Sequence, residues 1–475
     1  MLSWSILVYL SEWIIRLGML VVVTRRRREP VADMAWLALI FFQPYIGFAA
    51  YFLFGENRIS RGRTERRREL VRMLESRDDH LAPLRRGTPP QLGDEQRAFA
   101  GLARRLGGMM AVGGNSGRLM RDTDASIDAL VRDIDSARHH VHLQFYIWGV
   151  DATSRRVVAA MLQARQRGVE CRVMVDAVGS RPMLGGLARE LRAGGVEVLA
   201  MLPVGILRSM VSRIDMRNHR KIAVIDGRIG YTGSQNIVAA DYGRGGLVWH
   251  DLMARVEGPV VHELQTVFLS DWFLETGALL DRPGLFPAPG SPGRLVMQSL
   301  PSGPAYTSEN YQRMILHALH TAREEVVITT PYFIPDESFL HAMEVATLRD
   351  VRVRLVLPEH SDQVLVGNAS RAYYDELLDI GVEILLFSPG LLHAKTLRVD
   401  RLVAFFGSSN FDIRSFQLNE ELTIVLYGED SIQRISDEQQ HYISQSRRLG
   451  RDEWERRPAS ARIVQNLTKL FSPLL

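Results

Sequence analysis

Two stretches of this chain carry the same polar residues at the same spacing. The first is His219-x-Lys221-x4-Asp226-x6-Gly233-Ser234-x-Asn236; the second is His393-x-Lys395-x4-Asp400-x6-Gly407-Ser408-x-Asn410. Six of the 18 positions in each are identical, and all six are polar or glycine. The apolar positions between them keep their character but not their identity, so the repeat preserves chemistry ahead of packing. Imidazole, ammonium, hydroxyl and amide together make a site for an anion with one reactive nucleophile, since imidazole exchanges its proton near neutral pH. Neither stretch has the clustered histidines and carboxylates of a metal site, so phosphoryl chemistry without a metal fits better. The chain holds three lysines against 55 arginines, and two of the three are Lys221 and Lys395. Lysine is a compact point charge where arginine is a planar fork, so retaining it here points to a crowded anion.

Strand-like text surrounds each histidine, Ile-Ala-Val-Ile at 222–225 and Leu-Arg-Val at 397–399. Residues two apart in a strand share a face, so His219 and Lys221 are expected to project together, as are His393 and Lys395. Asp226-Gly227 is a hairpin signal and Asp400-Arg401 a weaker one. The chain then returns to Gly233 or Gly407, where glycine permits close backbone approach. Elsewhere, residues 169–173 answer 351–355, and 195–199 answer 381–385, each after a helical stretch. Strands alternating with helices predict α/β units around a largely parallel sheet, with a hairpin at each motif. A length of 475 residues predicts two lobes. Residues 282–293, with four prolines and three glycines, read as the linker between them. The first lobe carries an excursion at 201–217 that the second lacks; it would pack on its own lobe or touch lipid. The glycine-rich stretch 113–117 reads as a loop, since it opens no helix with phosphate-cradle spacing.

Residues 4–23 are apolar, with Glu12 and Arg16 spaced to pair on one helix face. Residues 34–54 form a second apolar run long enough to span a bilayer; Pro44 and Gly47 within it allow a kink or a re-entrant hairpin. A cleaved signal peptide does not fit, because the basic cluster at 25–28 follows the first run and no small-residue cleavage site is evident. Seven arginines at 58–72 outnumber the four at 25–28, which predicts both termini on the cytoplasmic side. The single cysteine, Cys171, excludes an intramolecular disulfide and sits in an apolar run that reads as a buried strand. Near the C-terminus, Ile463, Leu467, Leu470 and Leu474 share one helical face, with Phe471 beside it. That helix would dock on the second lobe or lie on anionic lipid. Basic clusters would equally suit nucleic acid; the two apolar runs favour lipid.

The duplicated frames resemble the HKD motifs of the phospholipase D superfamily, and the whole chain resembles its bacterial cardiolipin synthases. Leu143-Gln144-Phe145-Tyr146-Ile147-Trp148 and Thr330-Pro331-Tyr332-Phe333-Ile334-Pro335 are similar to that family's strand ends lining the cleft. Tyr51-Phe52-Leu53-Phe54-Gly55 resembles the end of its second membrane segment. The resemblance implies two tandem phospholipase D-type lobes of α/β fold related by pseudo-two-fold symmetry, preceded by two N-terminal membrane helices. The expected organisation is a membrane anchor at 1–57, an arginine-rich linker at 58–110, a first lobe at 111–281, the linker 282–293, and a second lobe with an amphipathic tail at 294–475.

The resemblance further implies a multi-pass enzyme of the bacterial plasma membrane, with its lobes on the cytoplasmic face. It would transfer a phosphatidyl group between two phosphatidylglycerol molecules and release glycerol. No cofactor, metal or nucleic acid is implied. The motif residues His219, Lys221, Asp226, His393, Lys395 and Asp400 would form one site, with His219 as nucleophile and His393 as acid and base. Lys221, Lys395, Asn236 and Asn410 would hold phosphate oxygens, supported by Ser234 and Ser408; Asp226 and Asp400 would fix the hairpins. A downstream acidic residue orients each histidine in the superfamily. By position this is Asp251 for His219, and for His393 it is Glu420, with Glu421 the second choice. The neighbouring reading is a phospholipase D or transphosphatidylase using water, another alcohol or phosphatidylethanolamine. A superfamily nuclease or a non-catalytic scaffold would not need both the membrane runs and two intact motifs.

If the two lysines act as compact charges, Lys221→Arg and Lys395→Arg will each fold normally and lose most turnover. Circular dichroism and an activity assay on purified variants check this, and wild-type turnover in either would reduce the lysine bias to composition.

Overall fold

A computed structural model describes residues 4–25, 30–55, 61–76, 90–203, 213, 215–243, 246–282, 284–304, 306 and 309–472. The chain forms two compact units, one of Met1–Thr64 with Pro203–Met216, the other of Glu65–Leu202 with Arg217–Leu475. Parts of the arginine-rich flanks used above for orientation, 26–29 and 56–60, lie outside the described residues. So do 204–212 and 214 of the 201–217 excursion, and 473–475 of the tail.

In the smaller unit, helix Trp4–Thr24 has 21 residues and so a length of about 31 Å, enough to cross a hydrocarbon core of about 30 Å. The second apolar run does not form a second such helix. It divides into Pro30–Phe42 and Pro44–Phe54, because Pro44 lacks an N–H and its ring excludes a continuing turn. Gln43 leaves the helical region, at φ −136° and ψ 80°. The two pieces fold back on each other: a Cβ on Gly47 would lie 2.6 Å from the Ile40 Cα, an approach only glycine allows. The expected Glu12–Arg16 pair forms at 3.1 Å. Arg16 Nε also donates to the Phe41 carbonyl at 3.1 Å, the acceptor that a continuous helix would have given to residue 45. The chain therefore has one described helix of spanning length, with a helical hairpin beside it in sequence.

The larger unit is built on a fifteen-stranded sheet. Strands Val112–Met120 and Leu295–Ser302 lie side by side and antiparallel at its middle. Outward from the first come Met253–Glu257, Ile229–Gly233, Ile222–Ile225, His140–Phe145, Glu170–Asp176 and Glu197–Met201. Outward from the second come Glu421–Tyr427, Val403–Gly407, Thr396–Val399, Glu325–Thr329, Arg352–Pro358 and Glu383–Phe387, with Ser446–Arg448 at the edge. In each half the first four joins are antiparallel and the next two parallel. The sheet is thus mixed and not largely parallel as the helix–strand alternation suggested. Within this sheet, among the described residues, the parallel pairs are those joined through crossover helices such as Ala152–Gln166 and Glu337–Leu348, because consecutive parallel strands need such a crossover. The motif hairpins and the strands that follow them impose antiparallel order on the rest.

The halves share a core. One apolar cluster joins Val224, Ala254 and Leu264 to Ala404, Leu422 and Ile435. The glycine-rich stretch 113–117 lies inside the central strand and is not a loop. Asn115 is buried there, and its side chain donates to Val112 and Leu295 carbonyls and accepts from Val260 N–H. Residues 282–293 carry no helix or strand where described. The stretch 58–110 is more than a linker. It holds helices Arg61–Ser76 and Asp94–Gly107, and Phe99 and Ala103 of the latter are buried in the second half's core. Arg66 donates to the carbonyls of Leu274 and Glu275 at the end of helix Val260–Thr276.

A chain beginning at Leu92 keeps helix Asp94–Gly107 with its Gly93 N-cap and every strand. It should fold alone, with a mixed α/β circular dichroism spectrum and one cooperative melt. Loss of that cooperativity would make the N-terminal segments part of the folding unit.

Candidate active site

The two motif hairpins are built alike. Asp226 and Asp400 sit at their tips with φ 53° and 50°, a left-handed conformation that Asp tolerates better than most residues. The Asp226 carboxylate accepts backbone N–H from Arg138, His139 and His140, each at 2.8 Å. Asp400 accepts from Arg323, Glu324 and Glu325 at 2.7–2.9 Å. Both carboxylates fasten the hairpin to the start of the neighbouring strand. Each motif acid thus sits at the hairpin it is expected to fix, bonded to backbone N–H groups. At the far end, Gly233 and Gly407 each bring the backbone so close that a Cβ would meet Leu252 O or Leu422 O at 2.2 Å. Ser234 N–H and Ser408 N–H donate to those same carbonyls, at 2.9 and 3.0 Å.

His219 and His393 precede their strands rather than lying within them. Each is held by a short pairing with the opposite half. His219 N–H donates to Glu420 O, at 2.8 Å, and His393 N–H to His250 O, at 2.9 Å. The next residue in each partner segment is an acid, and it meets the histidine that the pairing brings alongside. His393 Nδ1 is 2.6 Å from Asp251 Oδ1. His219 Nδ1 is 3.1 Å from Glu421 Oε2. The expected assignment is therefore exchanged. Asp251 holds His393 and not His219, and Glu421 holds His219, because the carboxylates cross between halves. Glu420 orients no histidine; its carboxylate pairs with Arg220 at 2.9 Å. Asp-Leu and Glu-Leu heading an apolar strand, at 251–252 and 421–422, are the sequence signal that equates Asp251 with Glu421.

The two serines serve the carboxylates. Ser234 Oγ donates to Asp251 at 2.6 Å and Ser408 Oγ to Glu421 at 2.5 Å. Their place is thus behind the orienting acids, which they support. Asn236 Oδ1 accepts from Ile147 N–H at 3.0 Å, and Asn410 Nδ2 donates to Asp412 at 3.1 Å. The lysines fold back under their histidines, Lys221 Nζ to His219 O at 2.7 Å and Lys395 Nζ to His393 O at 2.6 Å. Aromatic rings wall the site. Tyr146 lies 4.6 Å from His219 and Trp249 4.6 Å from His393, between ring centroids.

Burial opposes charge on each of these groups. It lowers His393 to about 3, with Lys395 adding to the effect and Asp251 opposing it. It lowers His219 as well, against Glu421 and together with Lys221 and Lys395. Both imidazoles are neutral at pH 7. Burial would raise Asp251, but His393, Lys395 and Ser234 outweigh it and hold the carboxyl at about 2. Glu421 is held below its usual range, against burial, by His219, Lys221 and Ser408. Ionised acids facing neutral rings fix the proton on each Nδ1 and leave the lone pair on Nε2. Burial lowers Lys221 to about 8, with Glu421 first among the carboxylates opposing it. It lowers Lys395 well below its ordinary value, and the charge of Lys221 adds to this. The two lysines repel each other in a dry site, and a phosphodiester between them would relieve that repulsion.

One residue the motif spacing hides is Arg220, between His219 and Lys221. Its guanidinium is buried and donates to Asp271 at 2.5 Å, Glu420 at 2.9 Å, and the carbonyls of Glu421 and Ser302 at 2.9 and 3.0 Å. It therefore fixes the backbone that carries the acid of His219. Ala394 stands at the corresponding place in the second half.

Two histidine–lysine pairs, each oriented from the opposite half, define a phospholipase D-type centre. The family described as "Cardiolipin synthase, PLD-like domain" matches residues 130–272 and 315–443, and the chain belongs to it. A second family, "Phospholipase_D-nuclease N-terminal", matches residues 14–56. The chain is 37% identical to cardiolipin synthase A of Proteus mirabilis, over 100% of this chain and 99% of that one. It is 38% identical to cardiolipin synthase A of Pectobacterium atrosepticum over the same shares. Its fold is similar to the crystal structure of a Haemophilus influenzae phosphatidylserine synthase, with a TM-score of 0.60 and 13% identity, covering 80% of this chain and 98% of that one.

The depressed lysines give a proton-linked prediction. At pH 8, Lys221 is about half deprotonated, and an anion raises its pKa, so binding must take up protons. Sulfate, which does not itself titrate there, should bind with uptake of roughly half a proton or more. Calorimetry in two buffers of different ionisation heat measures this. Lys221→Met should lower the uptake, and proton release on binding would contradict the electrostatics.

Proposed function

We propose that the protein joins two phosphatidylglycerol molecules into cardiolipin and glycerol, through a phosphatidyl-histidine intermediate. The observation that carries this reading is the exchanged pairing: His393 on Asp251 and His219 on Glu421, around two lysines. The tandem lobes then act as one pseudo-symmetric unit with a single site. His219, whose side chain is the more exposed of the two imidazoles at 12% against 5%, attacks phosphorus through Nε2. The phosphodiester's charge, brought between the lysines, raises His393 so that it can carry a proton. His393 gives that proton to the departing glycerol oxygen, which breaks the P–O bond. It then takes one from the hydroxyl of the second phosphatidylglycerol as that oxygen displaces His219. Lys221 and Lys395 stabilise the charge that builds on the non-bridging oxygens, and Asn236 and Asn410 complete the cradle. Helix Trp4–Thr24 holds the enzyme at the plasma membrane, with the catalytic unit on the cytoplasmic face.

Purified protein incubated with phosphatidylglycerol alone should yield cardiolipin and glycerol in equal amounts, with phosphatidic acid a minor product by lipid mass spectrometry. His219→Ala and His393→Ala should each lose nearly all turnover, and the double variant should be little worse than either, because both groups serve one mechanism. Phosphatidic acid as the main product, or an obligatory second phospholipid, would overturn the assignment.

A further inference from the structure

Helix Ala459–Lys469 is docked with its polarity reversed. The residues it turns into the larger unit are Gln465 and Thr468, which are buried. The residues it turns outward are apolar: Ile463 is 60% exposed, Leu467 55% and Leu470 74%, with Phe471 just beyond at 56%. A helix that docked to complete a core would show the opposite pattern. Its neighbour repeats the arrangement. Helix Val364–Arg371 packs against it, buries Gly367, Ala369 and Ser370, and leaves Val364 76% and Leu365 59% exposed. Two adjoining helices thus expose large aliphatic side chains while burying small or polar ones.

The surroundings say what covers this face. Neither helix contains an acidic residue. Arg462 and, just before the helix, Arg456 are exposed. Lys469 lies over the Tyr373 ring at 4.2 Å, and Tyr373 OH binds Ser472 at 3.2 Å, which fixes the end of the helix on the unit. The face also adjoins the catalytic cleft. Asp362 and Gln363, directly before helix Val364–Arg371, hydrogen-bond Tyr332 OH at 2.8 and 3.1 Å. Thr330 Oγ in turn donates to the Tyr332 carbonyl at 2.8 Å and accepts from Phe411 N–H at 3.4 Å, and Phe411 directly follows Asn410 of the second motif.

We propose that helices Val364–Arg371 and Ala459–Lys469 form a second membrane contact, by which the catalytic unit itself lies on an anionic bilayer with its cleft at the lipid surface. An apolar face flanked by the exposed Arg456 and Arg462, with the nearby acids Asp375, Asp379 and Glu376 paired to Arg457, Arg451 and Lys469, matches the acyl–headgroup boundary of such a bilayer. The proposal rests on the reading above that the substrate is a bilayer phospholipid. The N-terminal helix would tether the enzyme, and this face would set how the cleft meets its substrate.

The full chain permits a direct test. Its one native thiol, Cys171, is buried and pushed up to about 12 chiefly by that burial, so a new cysteine labels selectively at pH 7. Leu467→Cys carrying an environment-sensitive fluorophore is compared with Asp124→Cys, on an exposed polar helix face, both in vesicles of phosphatidylglycerol and phosphatidylcholine. The label at 467 should brighten, shift to the blue and be quenched by nitroxide-bearing lipid, and the label at 124 should stay aqueous. The contact should weaken in high salt or in vesicles without anionic lipid. A water-exposed label at 467 overturns the proposal. So does protection that persists in dilute detergent with cross-linking between 467 positions, which would make the face a contact between two copies. Leu467→Glu with Leu470→Glu should lose about tenfold in turnover on vesicles while keeping it in mixed micelles, where no surface has to be met. Equal turnover on vesicles, or equal loss in both, also overturns it. The fluorescence repeated in a His219→Ala background reads docking without chemistry, so an error in the assigned reaction is distinguishable from an error in the assigned surface.

Discussion

Everything in the catalytic unit depends on the crossing of two carboxylates between its halves. A histidine nucleophile needs its second nitrogen held, and neither half holds its own. Asp251, just before strand Met253–Glu257 of the first half, meets His393, and Glu421, at the start of strand Glu421–Tyr427 of the second, meets His219. The backbone pairings at His250 and Glu420 that deliver them are formed only when the halves are joined. The shared apolar cluster and the antiparallel join of Val112–Met120 with Leu295–Ser302 give that joining its stability. A half on its own would keep its hairpin, its lysine and its imidazole, and would lack the proton placement that makes the imidazole useful.

The same crossing balances buried charge. Unpaired ions in a dry interior are costly, yet this one holds Lys221, Lys395, Arg220, Asp251, Glu421, Asp271 and Glu420, all almost fully buried. Arg220 is matched by Asp271 and Glu420. Asp251 and Glu421 are matched by histidine and serine donors. The lysines are matched least well, and both are driven toward their neutral forms. Four carboxylates stand against three cations in this set, so what drives the lysines toward neutrality is chiefly burial, and an anion bound beside them would favour their charged forms.

What the sequence made legible was local. The six repeated residues, the hairpins at Asp226 and Asp400, the close approach at Gly233 and Gly407, and the Glu12–Arg16 pair follow from spacing and from the conformational habits of single residues. What it hid was long-range. The His393–Asp251 and His219–Glu421 pairs span 142 and 202 positions, and two near-identical frames give no sign of which acid serves which ring. Glu420 and Glu421 differ by one residue, and only the strand register decides between them. The direction of sheet pairing is hidden because the helices that reveal parallel crossovers are conspicuous, whereas the return strands 253–257 and 421–427 carry no turn or spacing signal for their direction. In the N-terminal run Pro44 was visible as a breaker. That the two pieces close on each other through Gly47 and Ile40 is a packing fact without a local signal.

The duplication is uneven in an informative way. The parts that set backbone geometry are matched residue for residue: the turn aspartates, the approach glycines, the serines behind the acids. The parts that set the character of each imidazole differ. His219 has Tyr146 against it and the Arg220–Asp271–Glu420 cluster behind its acid; His393 has Trp249 against it, a shorter carboxylate contact, and Ala394 where the arginine would be. Attack and proton transfer require different rings in different surroundings. On the mechanism proposed above, two frames alike in geometry and different around their histidines would supply both roles in one site, with the same lysine in each.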